Sequence, residues 1–177
     1  MKKNNYFFNF FRSYHKIFLK VLFFEIIYSI RLGEFLPKIK LQNNRKRTDT
    51  VPCVFYFLHI ISSFIKKNKI NSVIDIGSGY GRIVNFISVI NNITTYGIEY
   101  DKEVHNSALN TKKNKVKLYC GDIFNFQMTK FKSNCFILND PFKKTNDIKK
   151  ILLRIKKINT KKKKYIIYIN RKNKIFK

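Results

Sequence analysis

The chain has 177 residues, a length expected of one domain with a terminal extension. Hydrophobic residues make up 45% of it and aromatic residues 16%, which excludes a wholly disordered protein, and three prolines and six glycines exclude collagen-like or proline-rich material. The 37 basic residues outnumber ten acidic ones and give a net charge of +27, which predicts affinity for polyanions such as nucleic acid or an anionic membrane surface.

The basic charge also has an explanation that involves no partner. The chain is rich in Lys, Asn, Ile, Phe and Tyr and contains a single alanine, Ala108. These five abundant residue types have AT-rich codons, so a genome-wide nucleotide bias would produce a basic chain whatever it binds. Both interpretations of the charge stay open at this point.

The three cysteines indicate the redox environment of the protein. Cys53, Cys120 and Cys135 are widely spaced and form neither a CxxC pair nor a metal-ligand pattern with the three histidines. We therefore expect no metal site and a reducing, cytoplasmic setting, with the cysteines as small core residues.

Residues 1–50 are expected to form an N-terminal helix and a basic connector. Between residues 6 and 36, polar residues recur at helical spacing and leave a broad apolar face. Charges at Arg12, Lys16, Lys20 and Glu25 interrupt the apolar run, so a membrane span is not expected. The segment predicts either a helix packed on the main domain or a basic helix in peripheral contact with a membrane surface.

Residues 51–177 are expected to form the main domain. Strands are predicted over 73–76, 94–98, 116–119, 135–138 and 165–169, and helices over 54–65, 82–90, 101–113 and 146–158. Strands that alternate with helices predict an α/β fold, a doubly wound, mostly parallel sheet with helices on both faces.

Four of these strands end in residues suited to ligand binding. In an open α/β sheet, ligands bind outside the carboxyl ends of the strands, where the strand order reverses. Residues 77–81, Gly-Ser-Gly-Tyr-Gly, follow the first strand, Glu99 ends the second, Asp122 follows the third and Asp140 the fourth. Glycines permit a tight turn and close approach of a ligand to the backbone. Glu99 lies about 24 residues after the acid of the first strand, a separation that suits an acceptor for ribose hydroxyls.

The glycine turn carries a family resemblance. Residues 73–81, Val-Ile-Asp-Ile-Gly-Ser-Gly-Tyr-Gly, resemble motif I of the class I S-adenosylmethionine-dependent methyltransferases, apolar-apolar-Asp-x-Gly-x-Gly-x-Gly. Residues 96–101 are similar to the family's second-strand motif, 120–123 to its adenine-binding segment and 137–142 to its motif IV. The resemblance covers roughly residues 50–170. It implies a Rossmann-like fold, S-adenosyl-L-methionine as cofactor and methyl transfer to an acceptor.

The resemblance implies roles for individual residues. The cofactor would be bound by Asp75, Gly77, Ser78, Gly79, Gly81, Glu99 and Asp122. The glycines would line its methionine part, Glu99 would hold the ribose and Asp122 the adenine, while Asp75 would organise the loop and the amino group through water or backbone. The acceptor side would consist of Asn139, Asp140, Pro141 and Phe142. Asp140 is the one candidate for an acid or base.

Two departures from the family pattern leave the acceptor open. Enzymes of this family that methylate amino groups of nucleic acids carry Asn/Asp-Pro-Pro-Tyr/Phe, and here Asp140 stands where the first proline belongs. A register that starts at Asp140 better matches a looser Asn-Pro-Phe variant. The family's sheet usually has two more strands after the fifth, and because the sequence ends soon after residue 169 we expect a sheet that is short of them. The acceptor could be a small molecule, a sugar, a protein or a nucleic acid. The alternative is a catalytically degenerate Rossmann-like module that binds RNA or an anionic membrane through its basic surface.

Overall fold

The computed structural model describes residues 17–34, 38–41, 48–158 and 163–169. The first part of the helix predicted over 6–36 lies outside these ranges, as does most of the predicted basic connector. The described part of that helix is α1, Phe18–Leu32, which ends at Gly33 in a left-handed conformation with φ of +67°. A glycine adopts this conformation without the steric cost that a Cβ would add, so Gly33 terminates the helix.

The five strands form one sheet in the order β3-β2-β1-β4-β5, and all the pairings are parallel. They are β1 (Ser72–Ile76), β2 (Thr94–Glu99), β3 (Val116–Cys120), β4 (Cys135–Asn139) and β5 (Tyr165–Ile169). β1 lies in the centre between β2 and β4, so the strand order reverses there. The predicted doubly wound parallel sheet is confirmed.

Helices pack on both faces of the sheet. On one face, α1, α2 (Phe55–Lys67) and α3 (Arg82–Asn91) enclose a core that includes Val73 of β1. On the other, α5 (Thr145–Lys157) and two short 3₁₀ helices enclose a core that includes Ile74. Successive side chains of a strand point to opposite faces, so one buried strand supplies both cores.

The fourth helix, α4, covers Lys102–Leu109 and is shorter than the predicted 101–113. Asp101 is its N-cap, because the Asp101 carboxylate accepts hydrogen bonds from two backbone N–H groups of the first turn. The early end has a local cause. The side-chain amide of Asn85 in α3 donates to the Thr111 carbonyl and accepts from the Lys113 N–H, which draws this backbone out of the helix.

Two 3₁₀ helices, Ile123–Asn125 and Met128–Phe131, were not predicted. They follow β3 and carry Ile123, Met128 and Phe131 into the second core. Segments of three or four residues are too short to show a helical period in the sequence. None of the helices within the described ranges is long and apolar enough to cross a membrane.

Candidate functional site

A cavity of about 250 Å³ opens at the carboxyl ends of the four strands β1 to β4. The sequence-predicted residues that line it are Gly77, Ser78, Gly79, Glu99, Asp122, Asn139, Pro141 and Phe142. Gly81, Asp75 and Asp140 were predicted at the same site but do not line this cavity. The parallel sheet therefore brings together residues that lie more than sixty positions apart in the chain.

The glycine turn after β1 depends on backbone conformations that favour glycine. Gly77, Gly79 and Gly81 have φ values of +79°, +55° and +84°. A Cβ at Gly77 would lie 2.8 Å from the Cβ of Pro141, and a Cβ at Gly79 would lie 2.8 Å from the Cγ2 of Thr50. The first two glycines are thus required for both conformation and space, whereas Gly81 is required for conformation, since its nearest neighbours would be 3.6 Å away.

Glu99 lies under this turn and is bound to it. Its Oε2 accepts a hydrogen bond of 2.8 Å from the Gly79 N–H, and its Oε1 accepts one of 2.8 Å from the Asp101 N–H. The residue is buried, with 8% of its surface exposed. Each carboxylate oxygen has two lone pairs, so each can accept one further hydrogen bond. The carboxylate fixes the turn and still has the capacity to bind a ligand in the cavity.

Asp75 is the penultimate residue of β1, the central strand of the sheet, and is fully buried. Neither of its carboxylate oxygens has a hydrogen-bond partner in the described part of the chain, so the expected backbone contacts to the loop are not seen there. Burial, together with the nearby charge of Glu99, raises the pKa of Asp75 to about 8. A buried carboxyl without partners is costly in its charged form, and protonation reduces that cost.

Gly97 does not line the cavity but makes space for the glycine turn, a role that the sequence interpretation missed. A Cβ there would lie 2.8 Å from the Oγ of Ser78, so glycine in β2 makes room for the glycine turn of β1. The Ser78 hydroxyl is itself buried, and no described residue hydrogen-bonds to it. The available signal was a glycine inside a strand, which often marks close approach of another backbone.

The ends of β3 and β4 differ in how they present their polar residues. The carboxylate of Asp122 accepts a hydrogen bond from the Phe124 N–H and so caps a 3₁₀ helix at the cavity wall. The side-chain amide of Asn139 donates to the Val51 carbonyl at 3.2 Å and also lines the cavity. Asp140 adopts a positive φ of +44°, and its carboxylate accepts a hydrogen bond from the Tyr168 hydroxyl of β5.

Residues before position 51 also line the cavity, which the sequence interpretation did not predict. They are Glu34, Lys38, Thr48, Asp49 and Thr50. Lys40 and Thr50 are joined by two backbone hydrogen bonds in an antiparallel bridge. The same segment also contacts the end of β4, because the Thr48 hydroxyl donates a hydrogen bond of 2.8 Å to the Asp140 carbonyl. The segment before the main domain therefore forms one wall of the site.

Arg82, the first residue of α3, joins this wall to the glycine turn. Its guanidinium is buried and forms ion pairs with Glu25 at 2.6 Å and with Glu34 at 3.1 Å. It also donates to the Cys53 carbonyl and lies over the Phe55 ring, 3.8 Å from its centroid. Burial raises the pKa of Glu34, and the charge of Arg82 partly offsets this effect.

The charge of the cavity is opposite to that of the whole chain. Five of the ten acidic residues line it: Glu34, Asp49, Glu99, Asp122 and Asp147. Of the basic residues in the described part of the chain, two line it: Lys38 and Arg82. Acidic side chains around a partly enclosed cavity favour a ligand that carries positive charge.

No protein-family model and no curated protein sequence matches this chain. Among solved structures, an RNA methyltransferase from Salinibacter ruber in complex with S-adenosyl-L-homocysteine aligns with a TM-score of 0.50 and 22% identity, over 59% of this chain and 70% of that one. This chain has the class I methyltransferase fold. The fold implied by the sequence motifs is thereby confirmed.

Two further methyltransferase-fold structures are similar over a smaller part of their length. A Staphylococcus aureus protein provisionally described as a caffeoyl-CoA O-methyltransferase aligns with a TM-score of 0.45 and 18% identity, over 50% of this chain and 46% of that one. The plantazolicin methyltransferase BpumL aligns with a TM-score of 0.40 and 26% identity, over 47% of this chain and 34% of that one. The chain spans less than half the length of these two proteins.

Proposed function

We propose that the cavity binds S-adenosyl-L-methionine and that the protein catalyses transfer of a methyl group from it to an acceptor. The observation that carries the proposal is the meeting of the glycine turn, Glu99, Asp122 and Asn139 at one acidic cavity, where the strand order of a methyltransferase fold reverses. When bound, this cofactor supplies a methyl group on a positively charged sulfonium.

The chemistry of the cavity residues supports this choice of cofactor. Glu99 can accept one more hydrogen bond at each oxygen, which suits the two ribose hydroxyls. Asp122 lines the cavity and has a carboxylate that can accept from an adenine amino group. At neutral pH the cofactor has an ammonium and a sulfonium against a single carboxylate, so its net charge is positive and complements the acidic lining.

The acceptor side is best supported at Asn139. This residue lines the cavity at the end of β4, whereas the carboxylate of Asp140 is engaged by Tyr168 and does not line it. We therefore propose that Asn139 orients the acceptor and that Asp140 shapes the turn behind it. Methyl transfer depends mainly on positioning of the nucleophile, for which a polar amide is adequate. The acidic lining opposes a phosphate group inside the cavity, so the acceptor group that enters is neutral or cationic.

Calorimetric titration with S-adenosylmethionine and S-adenosylhomocysteine tests the cofactor assignment. We expect both ligands to bind at a single site and nicotinamide adenine dinucleotide not to bind, because the buried Arg82 stands where a dinucleotide turn needs a small residue. No heat from either adenosyl ligand, in a sample shown to be folded by circular dichroism, would overturn the proposal.

Transfer of a tritiated methyl group into fractions of a cell extract tests catalysis separately. We expect wild-type protein to label one acceptor fraction, and Asn139→Ala to bind the cofactor normally while it labels that fraction far more weakly. Wild-type protein that binds the cofactor but labels no fraction would support the non-catalytic alternative. The nature of the labelled fraction would identify the acceptor class.

A further inference from the structure

The exposed side of α1 is unusually apolar. Six large hydrophobic residues, here called the α1 stripe, are between 41% and 78% exposed: Leu19, Leu22, Phe23, Ile26, Ile27 and Ile30. Their spacing of three and four residues places them along one side of the helix. Single exposed hydrophobic residues are common, but a continuous row of six marks an interaction surface.

The opposite side of α1 already attaches the helix to the domain. Val21, Tyr28 and Leu32 are buried, and the Tyr28 hydroxyl is hydrogen-bonded to His59 of α2 at 2.8 Å. The Glu25 carboxylate pairs with Arg82 and accepts from the Phe55 N–H at the start of α2. The contacts described for the attachment of α1 therefore lie on the side opposite the α1 stripe, whose residues remain 41% to 78% exposed.

The charges on α1 indicate the chemistry of the partner. Glu25 is the one acidic residue in the helix, and its carboxylate is turned toward Arg82. Lys20 and Arg31 are exposed and lie about three turns apart, so they project from the same side of the helix, next to the α1 stripe. An apolar stripe bordered by basic residues, with no acid on the exposed side, fits an anionic surface with an apolar interior.

We propose that α1 lies on the surface of an anionic lipid bilayer, with the α1 stripe at the level of the upper acyl chains and Lys20 and Arg31 at the lipid phosphates. The net charge of +27 adds long-range attraction to such a surface. The same charge makes two copies of the chain repel each other, which disfavours a second copy as the occupant. The proposal is independent of the methyltransferase function, because it uses none of the cavity residues.

The absence of tryptophan from the chain permits a direct test. Phe23→Trp places the only tryptophan in the α1 stripe, and Leu153→Trp places it at a similarly exposed position on α5, which packs on the other face of the sheet. With vesicles of phosphatidylcholine and phosphatidylserine that carry brominated acyl chains, we expect strong quenching of Trp emission in the first variant and none in the second. Vesicles of phosphatidylcholine alone should quench neither.

A second pair of variants separates insertion of the α1 stripe from general attraction by lysines. Phe23→Gln combined with Ile26→Gln should weaken sedimentation with anionic vesicles by about tenfold or more. Leu109→Gln combined with Leu153→Gln removes two apolar residues of similar exposure, keeps the net charge and should leave sedimentation unchanged. Equal sedimentation of both double variants would overturn the proposal.

Other occupants of the α1 stripe have distinct signatures. Coverage by residues 1–16 would shield the tryptophan of Phe23→Trp from acrylamide before any vesicle is added. A second copy would make the wild-type protein dimeric in sedimentation velocity and the Phe23→Gln, Ile26→Gln variant monomeric. Either result would overturn the proposal, and an accessible tryptophan in a monomeric protein that is quenched by anionic brominated vesicles would support it.

Discussion

Glu99 has a structural role in addition to its proposed contact with the cofactor. Its carboxylate accepts from the N–H groups of Gly79 and Asp101, which fixes the glycine turn against the end of β2. A carboxylate at a strand end is expected to lie at the cavity mouth and to contribute nothing to the free energy of unfolding. Its burial and its two backbone partners indicate instead that the stability of the fold depends on this side chain.

Substitution of Glu99 should lower both affinity and stability. Glu99→Ala is expected to weaken binding of S-adenosylhomocysteine by roughly one to two orders of magnitude and to lower the free energy of unfolding by about 1–3 kcal/mol, because two backbone N–H groups lose their acceptor. Glu99→Gln should do less harm, since its amide oxygen keeps one acceptor. Calorimetric titration and urea denaturation measure the two effects. Glu103→Ala is the matched control, because that side chain is 86% exposed. Unchanged affinity in a folded Glu99→Ala protein would remove Glu99 from the site.

The packing of Thr50 against the glycine turn can be measured with a pair of glycines. Gly33 and Gly79 both have positive φ, but a Cβ at Gly33 would meet nothing within 4 Å, whereas a Cβ at Gly79 would meet Thr50. Gly33→Ala should therefore cost only the conformational penalty, about 1–2 kcal/mol. Gly79→Ala should lower the free energy of unfolding by more than this, as urea denaturation can measure. Adding Thr50→Ser to Gly79→Ala should restore the additional loss. Equal costs for the two glycines would show that Thr50 does not constrain the turn.

The buried Asp75 should make the stability of the protein depend on pH. Its pKa is raised from 3.8 to about 8, so between these values the folded protein holds one more proton than the unfolded chain. The contribution of this group to the free energy of unfolding is therefore full at low pH and decreases as the pH rises, by about 1.4 kcal/mol per pH unit between the two pKa values. Asp75→Asn should remove this decrease. Urea denaturation across the range measures it, and parallel profiles of wild type and variant would contradict the prediction.

At the scale of elements, Arg82 connects the N-terminal helix to the cavity. Its two acidic partners are Glu25 in α1 and Glu34 just after it, so α1 and the start of α3 share one partly buried ion-pair cluster around the buried Arg82. This connection explains how residues outside the predicted main domain come to line the site. It also predicts that loss of one acidic partner lowers the free energy of unfolding of the whole domain.

Glu25→Ala should destabilise the protein by about 3 kcal/mol, at the lower end of the cost of breaking a buried pair, because Arg82 keeps Glu34 and the Cys53 carbonyl. Glu25→Gln should cost less, since it can still accept hydrogen bonds. Glu103→Ala, which breaks an exposed pair with Lys40, should cost no more than about 1 kcal/mol. Urea denaturation compares the three, and equal costs for Glu25→Ala and Glu103→Ala would show that the cluster adds no stability.

The elements of the sheet could be predicted from the sequence, while the wall of the site could not. Short β-branched runs bounded by glycine and acids predicted every strand to within a residue or two at each end, because both faces of the sheet are covered and the strands are continuously apolar. The glycine turn and its acids were predicted together, since parallel strands end at one edge.

The wall formed by Thr48 and Thr50 was missed, because no local pattern reveals which distant loop folds across a cavity. The turn of Asp140 toward Tyr168 is likewise a tertiary contact with no signal in the sequence.

At the scale of the whole molecule, the distribution of charge destabilises the folded state. Half of the acidic residues surround the cavity, so most of the remaining surface has few acids to balance the lysines. Like charges are closer together in the compact state than in the unfolded chain, and their repulsion destabilises the compact state. Salt screens this repulsion, since the Debye length falls from about 10 Å at 0.1 M to about 3 Å at 1 M.

The melting temperature should therefore rise by several degrees between about 0.1 M and 1 M sodium chloride, as differential scanning calorimetry can measure. The rise should shrink in a variant with Lys102, Lys149 and Lys150 replaced by Gln, because these three lysines are exposed and lie outside the cavity lining. That variant should also melt at a higher temperature than wild type in low salt. Three exposed asparagines replaced by Gln, at Asn106, Asn125 and Asn146, keep the net charge and control for the substitutions themselves. A melting temperature that falls with salt would show that the remaining ion pairs, such as those of Arg82, outweigh the repulsion among lysines.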